Sequence, residues 1–235
     1  MDLSNLKKSR YQDSNLIDTI DTHELCERYE AVSTAAVNDV LREKGYIYQT
    51  LPNSILPLKD DMKTAGIAFT IKGSKNLALE DEMQERAQML QAIEPGSICV
   101  YDTSEDNESA QWGEIMTMAS KIRGCRGAIV DGGVRDTDRI LEQDFPVFCR
   151  FRTSNGMLGR FRMISYQTPI RIGEVLIRPG DVIMGDIDGV IVVPRQMALD
   201  VLKKAEIIRD NEVEIKKMVL AGLTPVEVVN NGGYF

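Results

Sequence analysis

The sequence is poor in histidine and in closely spaced cysteines, and these shortages argue against several kinds of active site. Among the 235 residues only His23 is a histidine, which leaves little basis for a Ser-His-Asp triad or a histidine-rich metal site. The four cysteines, Cys26, Cys99, Cys125 and Cys149, lack CxxC spacing, so we expect small buried thiols in a reducing compartment. If the protein is an enzyme with a metal, carboxylates must hold it, which favours Mg²⁺ or Mn²⁺.

Long apolar runs and basic clusters are also missing. No apolar stretch of about 18 residues and no signal-peptide pattern occurs, so we predict a cytoplasmic protein without a membrane partner. The formal net charge of −8, without a basic run, makes nucleic acid an unexpected partner. The apolar fraction of 43% and the charged fraction of 27% are ordinary for a globular domain of this length.

The most informative stretch is glycine-rich and lies in the middle of the chain. Gly127 to Val130 is a short apolar, β-rich run, which predicts a buried strand. The following Asp131-Gly132-Gly133 is typical of a turn, and residues 137–143 predict a helix. Arg135 and Asp136 are therefore expected on a turn at the carboxyl end of a strand, where ligands bind in open α/β sheets.

A second helix start lies upstream, where Glu114 follows Gly113. The first turn of a helix offers backbone N–H groups without intrahelical partners, which suit an anion. Two helix starts, the carboxylates of Glu114 and Asp136 and the guanidinium of Arg135 could thus form one anion-plus-metal site. The alternative interpretation is structural: Asp136 is a helix N-cap, Arg135 its surface partner, and Glu114 an acid that complements the helix dipole.

The order of the predicted elements indicates a layered α/β domain. Helices predominate early and strands late, with βα alternation between them. We divide the chain into an N-terminal extension (1–30), a catalytic domain (31–222) and a C-terminal tail (223–235). Helices are predicted at 15–29, 33–44, 79–92, 114–123, 137–143 and 196–220, and strands at 66–71, 97–101, 127–130, 146–151, 163–168, 175–177, 182–184 and 190–193.

Six stretches resemble a known family in both order and spacing. They are Ser33-Thr-Ala-Ala-Val-Asn-Asp, Trp112-Gly-Glu-Ile-Met, Gly127-Ala-Ile-Val-Asp-Gly-Gly-Val-Arg-Asp, Asp144-Phe-Pro-Val-Phe, Arg178-Pro-Gly-Asp and Gly185-Asp-Ile-Asp-Gly-Val-Ile-Val-Val-Pro-Arg. From about Ala31 to Gly222 the chain resembles the RraA-like family, which includes the metal-dependent 4-hydroxy-4-methyl-2-oxoglutarate and 4-carboxy-4-hydroxy-2-oxoadipate aldolases. The resemblance implies a single domain of the swivelling β/β/α type, assembled as a trimer or a dimer of trimers.

The enzymes of that family carry an acidic residue, twenty residues and then Arg-Asp, a pattern that Glu114, Arg135 and Asp136 match. By resemblance, Asp136 binds the divalent metal and Glu114 holds one of its waters. The helix-start amides of Ile115 and Met116, after Gly113, receive the substrate carboxylate, and Arg135 contacts the C2 oxygen of a small 2-keto acid. The resemblance thus implies a class II aldolase that cleaves a 4-hydroxy-2-oxo dicarboxylate-type substrate to pyruvate, with oxaloacetate decarboxylation as a companion activity.

A further acidic residue is implied at the metal's outer shell, from the last helix of a neighbouring subunit. Glu212 is the candidate and Glu214 the runner-up. Many family members carry an acid at the position of Arg139, and this departure bears on the substrate rather than on the metal. We expect the loops at 102–108 and 153–160 to determine specificity.

Two other functions remain open. The family is named after a regulator of ribonuclease activity that inhibits its partner by contact, so a non-enzymatic binding protein is the main alternative. A Schiff-base aldolase would instead need a desolvated lysine, for which Lys72 and Lys121 are candidates. The methyltransferase label that has circulated for the family finds no support, because no glycine-rich cofactor loop follows a first strand.

Overall fold

The computed structural model describes residues 20–79 and 82–235, which form a mixed α/β fold. The predicted loosely ordered segment 1–14 and the first residues of the helix predicted at 15–29 lie outside the described residues. The helices are α1 (Thr22–Glu30), α2 (Thr34–Glu43), α3 (Met83–Gln91), α4 (Glu114–Ile122), α5 (Thr137–Glu142), α6 (Ala198–Leu220) and α7 (Pro225–Asn230). Across the described ranges, no helix combines the length and apolar character needed to cross a membrane.

The strands form one large sheet and a separate hairpin. Their bounds are β1 (Leu56–Pro57), β2 (Thr64–Lys75), β3 (Ser97–Asp102), β4 (Ala110–Trp112), β5 (Gly127–Val134), β6 (Val147–Arg152), β7 (Phe161–Tyr166), β8 (Ile170–Ile172), β9 (Val175–Ile177), β10 (Val182–Asp186) and β11 (Gly189–Val193). The large sheet runs β1-β6-β5-β3-β2-β10-β11, with β4 paired to β5 and β7 paired to β2, while β8 and β9 form the hairpin.

The middle of the large sheet is parallel and its flanks are antiparallel. The pairs β2–β3, β3–β5, β4–β5 and β5–β6 are parallel, and helices connect successive strands there. β10 pairs antiparallel with both β2 and β11, as expected for strands joined by the turn at 187–188. The α/β class predicted from the element order is therefore confirmed.

Three apolar clusters hold the elements together. One face of the parallel strands packs against α3, α4 and α5, with Phe69, Tyr101, Trp112, Val130 and Ile140 in the core. The other face packs against the β8–β9 hairpin and the inner residues of β10 and β11. The third cluster joins α1, α2 and α6 to β10 and β11. All four cysteines are buried within this framework, as the sequence suggested.

Two strands continue through glycines that the sequence suggested were turns. The prediction that β5 stops before Asp131 is wrong, because it extends to Val134. A Cβ at Gly132 would meet Gln111 Oε1 at 2.4 Å, so this glycine permits close packing rather than a turn. The strand predicted at 66–71 likewise ends too early, since β2 reaches Lys75 and Gly73 lies against the Phe161 ring at a bulge.

Some element boundaries and short elements also differ from the sequence prediction. The helix predicted from residue 79 begins at Met83, and the strand predicted at 163–168 is β7, two residues earlier. The C-terminal tail contains α7, which begins with a capping box between Thr224 and Glu227. Asp186, beside the turn after β10, stabilises the fold. Its carboxylate accepts hydrogen bonds from both the backbone N–H and the hydroxyl of Thr34.

Candidate functional site

Strands β4 and β5 bring two helix starts together. They pair in parallel, with Trp112 opposite Val134, and the backbone N–H of Arg135 donates to the carbonyl of Trp112 at 3.0 Å. Because parallel neighbours end at the same edge of a sheet, the turn before α4 and the turn before α5 lie side by side. Gly113 and Glu114 therefore adjoin Arg135 and Asp136.

Asp136 occupies the N-cap position of α5 in an unusual conformation. Its backbone is left-handed, with φ 54° and ψ 39°, a conformation that aspartate adopts more readily than most residues with a Cβ. The structure gives its side chain no capping hydrogen bond, so the N-cap alternative does not account for the carboxylate. The Asp136 side chain is 43% exposed, and Arg135 Nε lies 3.5 Å from its Oδ2. The carboxylate thus remains accessible to a ligand.

Two glycines flank the side chain of Arg135, which is 50% exposed. A Cβ at Gly113 would lie 3.3 Å from Arg135 Cγ and 2.8 Å from Asp136 Oδ2. On the other side, a Cβ at Gly156 would lie 3.2 Å from Arg135 Nη1, which a small shift of the guanidinium would relieve. The absence of a side chain at Gly113 thus lets the Asp136 carboxylate lie close to the start of α4.

The amino end of α4 provides backbone donors beside these charges. The Gly113 carbonyl accepts the N–H of Thr117 at 3.0 Å, which closes the first turn. Gly113 has no side chain to cap the helix, so the N–H groups of Ile115 and Met116 remain for a ligand. The carbonyl of Glu114 accepts a hydrogen bond from Gln143 Nε2 at 3.3 Å, which ties α4 to the end of α5.

All of these groups border one cavity of about 580 Å³. The loop at 156–158 contributes to its wall. It lies within residues 153–160, one of the two loops that we expect to determine specificity. The described residues that line it are Ala78, Leu79, Glu82, Met83, Arg86, Ala87, Leu90, Ala110, Gln111, Trp112, Gly113, Glu114, Ile115, Met116, Arg135, Asp136, Gly156, Met157, Leu158, Phe161 and Arg162.

Glu212 and Glu214 lie outside this set. Both are on α6, where Glu212 Oε2 is 3.7 Å from Lys216 Nζ and Glu214 Oε1 is 2.7 Å from Lys217 Nζ. The Glu212 side chain is 41% exposed. Within one chain the structure therefore does not bring either carboxylate to the described lining of the cavity.

The lysines of the Schiff-base alternative are also elsewhere. Lys72 Nζ lies 2.7 Å from Asp102 Oδ2, and Lys121 Nζ donates to the carbonyl of Gln143. Among the described residues that line the cavity there is no lysine. The geometry therefore offers no support for either lysine as a nucleophile at this site.

Several lining residues were missed by the sequence reasoning. The wall from α3 and β7 contains Glu82, Arg86 and Arg162, which no local motif marks. The expectation for the loop 102–108 is wrong, because its residues are absent from the described lining. Instead its buried Asp106 accepts a hydrogen bond from Gln111 Nε2 at 2.6 Å and supports the wall from behind.

A family model described as "RraA-like: Aldolase/RraA" matches residues 34–192. The chain belongs to the RraA-like family. It is 32% identical over 76% of its length to a Halalkalibacterium halodurans protein named "Putative 4-hydroxy-4-methyl-2-oxoglutarate aldolase", of which it covers 80%. It is 29% identical over 89% of its length to the Legionella pneumophila protein DlpA, of which it spans only 34%.

Solved structures support this membership. One is described as "Crystal structure of novel cellulases from microbes associated with the gut ecosystem" and has 46% identity and a TM-score of 0.87. The alignment covers 91% of this RraA-like chain and 96% of the other chain. Streptomyces coelicolor RraAS2, described as an unusual member of the RNase ES inhibitor RraA protein family, has 26% identity and a TM-score of 0.74. The alignment covers 83% of this chain and 97% of RraAS2.

The donor set of the site fits a hard divalent cation. Asp136 and Glu114 offer carboxylate oxygens, the ligands that Mg²⁺ and Mn²⁺ prefer. Within residues 20–79 and 82–235 no group of three or more histidine, cysteine, aspartate or glutamate side chains could hold a metal. A site of this kind would therefore rely on one direct carboxylate with waters in most other positions, as Mg²⁺ tolerates.

Proposed function

We propose that the protein is a divalent-metal-dependent class II aldolase that cleaves a 4-hydroxy-2-oxo acid to pyruvate, with oxaloacetate decarboxylation as a side activity. The observation that carries the proposal is the meeting of the α4 amino end with Arg135 and Asp136 at one cavity. The relationship to the Halalkalibacterium protein named for an aldolase supports the same class of reaction.

The pyruvyl half of the substrate fits the polar wall. Its carboxylate binds the backbone N–H groups of Ile115 and Met116, where the helix dipole favours an anion. The guanidinium of Arg135, which lies beside Gly113 and Gly156, donates to the C2 oxygen. These contacts orient the C3–C4 bond towards the open volume of the cavity.

Asp136 would hold Mg²⁺ or Mn²⁺ directly, and Glu114 would accept hydrogen bonds from its water ligands. When bound, the metal supplies Lewis-acid stabilisation of negative charge at the C2 oxygen.

The chain's own groups then stabilise charge and move a proton. As the C3–C4 bond breaks, the electron pair passes to the pyruvyl half and negative charge grows on the C2 oxygen, next to Arg135. Glu114 takes the proton of the C4 hydroxyl through an intervening water, and the resulting carbonyl compound leaves. Protonation at C3 completes pyruvate.

We further propose that the site is completed at a subunit interface, with Glu212 of a neighbouring copy reaching the outer shell of the metal. The first two turns of α6 are buried against α2, β10 and β11, but from its middle to its end Ile207, Val213, Val219 and Leu220 are exposed. Exposed apolar side chains on a long closing helix suit a contact between copies in a trimer or a dimer of trimers.

Contact inhibition of a ribonuclease is the second candidate, and the relationship to RraAS2 favours it. That role would need neither Arg135 nor Asp136 on the wall of the cavity. Cellulose hydrolysis, suggested by the description of the 46%-identical structure, would need two carboxylates on opposite sides of a sugar ring. Here Glu114 and Asp136 come from adjacent helix starts.

The test is a turnover screen. Pyruvate release is measured from oxaloacetate and from a set of 4-hydroxy-2-oxo acids, with Mg²⁺, with Mn²⁺ and with EDTA. We expect turnover that EDTA abolishes and either metal restores. Activity that survives EDTA and is trapped by borohydride would indicate a lysine Schiff base instead, and no release from any substrate with either metal would contradict the aldolase assignment.

A further inference from the structure

The cavity is larger than a pyruvyl group requires. Its volume of about 580 Å³ lies in the range of roughly 300–1,000 Å³ that is typical of sites for larger organic ligands. The pyruvyl half uses the wall formed by Gly113, Arg135 and Asp136. The opposite wall, from α3, the loop 156–158 and β7, therefore surrounds whatever substituent the substrate carries at C4.

That opposite wall is mainly apolar. Its apolar members are Ala78, Leu79, Met83, Ala87, Leu90, Met157, Leu158 and Phe161. Three large side chains remain open to solvent, with Leu79 76%, Met83 59% and Leu158 67% exposed. Apolar surface of this kind, on the wall of a cavity that already contains polar binding groups, is stabilised when an apolar ligand covers it.

The charged groups of the same wall are matched with one another. Arg86 forms an ion pair with Glu82, whose side chain is only 9% exposed. Arg162 Nε lies 3.7 Å from Glu82 Oε2, and Arg162 Nη2 lies 3.7 Å from Glu85 Oε1. Glu82 Oε2 also accepts the backbone N–H of Met163 at 3.0 Å.

Each arginine of this wall already has a glutamate partner among the described residues, Glu82 for Arg86 and Glu82 with Glu85 for Arg162, although Glu85 itself does not belong to the described lining. A second substrate carboxylate placed there would lose hydration and meet Glu82 as well as the arginines, so its binding would be poorly compensated. The paired charges and the exposed apolar side chains of this wall both favour an apolar substituent at C4.

We infer that the substrate carries an apolar alkyl or aryl group at C4, rather than a second carboxylate, and that Met83 and Leu158 select it. This inference rests on the proposed function and names its substrate class. In the reaction the C4 hydroxyl loses its proton, the C3–C4 bond breaks, and an apolar aldehyde leaves while C3 gains a proton to give pyruvate. No oxidant or reductant is needed.

The experiment compares two substrates that share the pyruvyl half. One is 4-hydroxy-2-oxo-4-phenylbutanoate, which has an aryl group at C4, and the other is 4-hydroxy-2-oxoglutarate, which has a carboxylate there. We expect kcat/KM with Mg²⁺ to be at least about tenfold higher for the aryl substrate, the order of discrimination that a few apolar contacts provide.

Two methionine variants locate the preference. Met83→Ala should lower the ratio of kcat/KM for the aryl substrate to kcat/KM for 4-hydroxy-2-oxoglutarate by about tenfold. The matched control is Met118→Ala, because Met118 is also a half-exposed helix methionine but is not among the described residues of the cavity wall. It should leave this ratio unchanged.

Exchange of the pyruvate methyl protons with deuterium, followed by NMR, tests the aldolase assignment separately from the apolar-substituent inference, because this exchange needs no C4 substituent. Absence of metal-dependent exchange counts against the aldolase assignment itself. If exchange occurs but 4-hydroxy-2-oxoglutarate is the preferred substrate, the apolar-substituent inference is overturned. It is equally overturned if Met83→Ala changes the oligomeric state and leaves the preference intact, since the apolar wall would then be a contact between copies.

Discussion

The carboxylate of Asp136 lies against the backbone of Gly113, so closely that a Cβ at position 113 would come within 2.8 Å of Asp136 Oδ2. The contact joins the starts of α4 and α5, which are separated in sequence but are held together by β4 and β5. It makes the position of the proposed metal ligand depend on a residue that has no side chain.

Gly113→Ala is therefore expected to lower turnover by about 100-fold, because a displacement of about 1 Å at a reacting centre has an effect of that order. The backbone at Gly113 is extended, with φ −166° and ψ −171°, so alanine introduces no backbone strain of its own. Circular dichroism should show a folded protein, and kinetics measures the loss. Turnover within about twofold of the parent would mean that Asp136 does not act from this position.

Asp136→Asn should lose metal binding and all turnover while the protein still folds, since asparagine also tolerates the left-handed conformation. Isothermal titration with Mn²⁺ and the pyruvate assay provide the two measurements. The matched control is Asp138→Asn, in the first turn of α5, whose side chain is 77% exposed. Unchanged metal dependence in Asp136→Asn would remove Asp136 from the site.

Arg135→Lys should reduce kcat/KM by about two orders of magnitude, or about 3 kcal/mol of transition-state stabilisation. Lysine keeps the positive charge but loses the planar arrangement of donors that can contact two oxygens at once. Arg139→Lys is the control, because Arg139 pairs with Glu142 on the exposed side of α5. Equal rates for both variants would identify Arg135 as a surface residue only.

Mixing of inactive variants tests the proposed interface. Asp136→Ala subunits and Glu212→Gln subunits are expected to be inactive alone, and activity should partly return when they exchange into mixed rings. In a mixed head-to-tail ring, some sites receive the wild-type Asp136 from one subunit and the wild-type Glu212 from its neighbour. Native mass spectrometry verifies the exchange. Full activity of a monomer, or no recovery in proven mixed rings, would contradict a shared site.

Stability should depend on pH through Asp131, a buried residue of β5. Desolvation raises the pKa of Asp131 to about 6, although Arg150 opposes the shift. A carboxyl that binds its proton more tightly when folded destabilises the fold as pH rises from about 4 to about 6. Asp131→Asn should remove this loss, so that its stability relative to the parent is greater at pH 7.5 than at pH 4.5, by up to about 2 kcal/mol.

Urea unfolding at the two pH values measures the difference. Asp181 follows the same direction, because burial raises its pKa to about 6 as well, and it remains in both proteins as an internal reference. Arg28 lowers the pKa of Glu206, and hydrogen bonds from Thr224 lower the pKa of Glu227. These two groups therefore affect stability only at more acidic pH. A pH-independent difference between parent and variant would contradict the assignment to Asp131.

Local patterns were sufficient to predict the starts of α4 and α5, whereas the end of β5 was predicted four residues too early. A β-rich run before Arg135 and a glycine before Glu114 both identify turns, whatever the rest of the chain does. Gly132 and Gly73 lie inside strands because a distant residue, Gln111 or Phe161, leaves no room for a side chain at each position. Local sequence does not reveal such a contact, so the strand ends were predicted wrongly there.

The apolar wall was not predicted for a related reason. Glu82 and Arg86 belong to α3, and they reach the cavity only because β2, β3 and β7 bring that helix beside β4. The pairing of β4 with β5 depends on contacts remote in sequence as well. Tertiary packing, rather than residue type, decides which side chains surround the C4 substituent.

Trp112 is the single tryptophan of the chain, and it is buried in the wall of the cavity. Its indole N–H donates to Thr117 Oγ1 at 2.8 Å, which couples the ring to the first turn of α4. Emission excited at the red edge of the indole band therefore arises from one place in the molecule, next to the amides of the proposed anion site. The protein contains its own optical reporter, so ligand binding can be followed in unlabelled samples without any catalytic turnover.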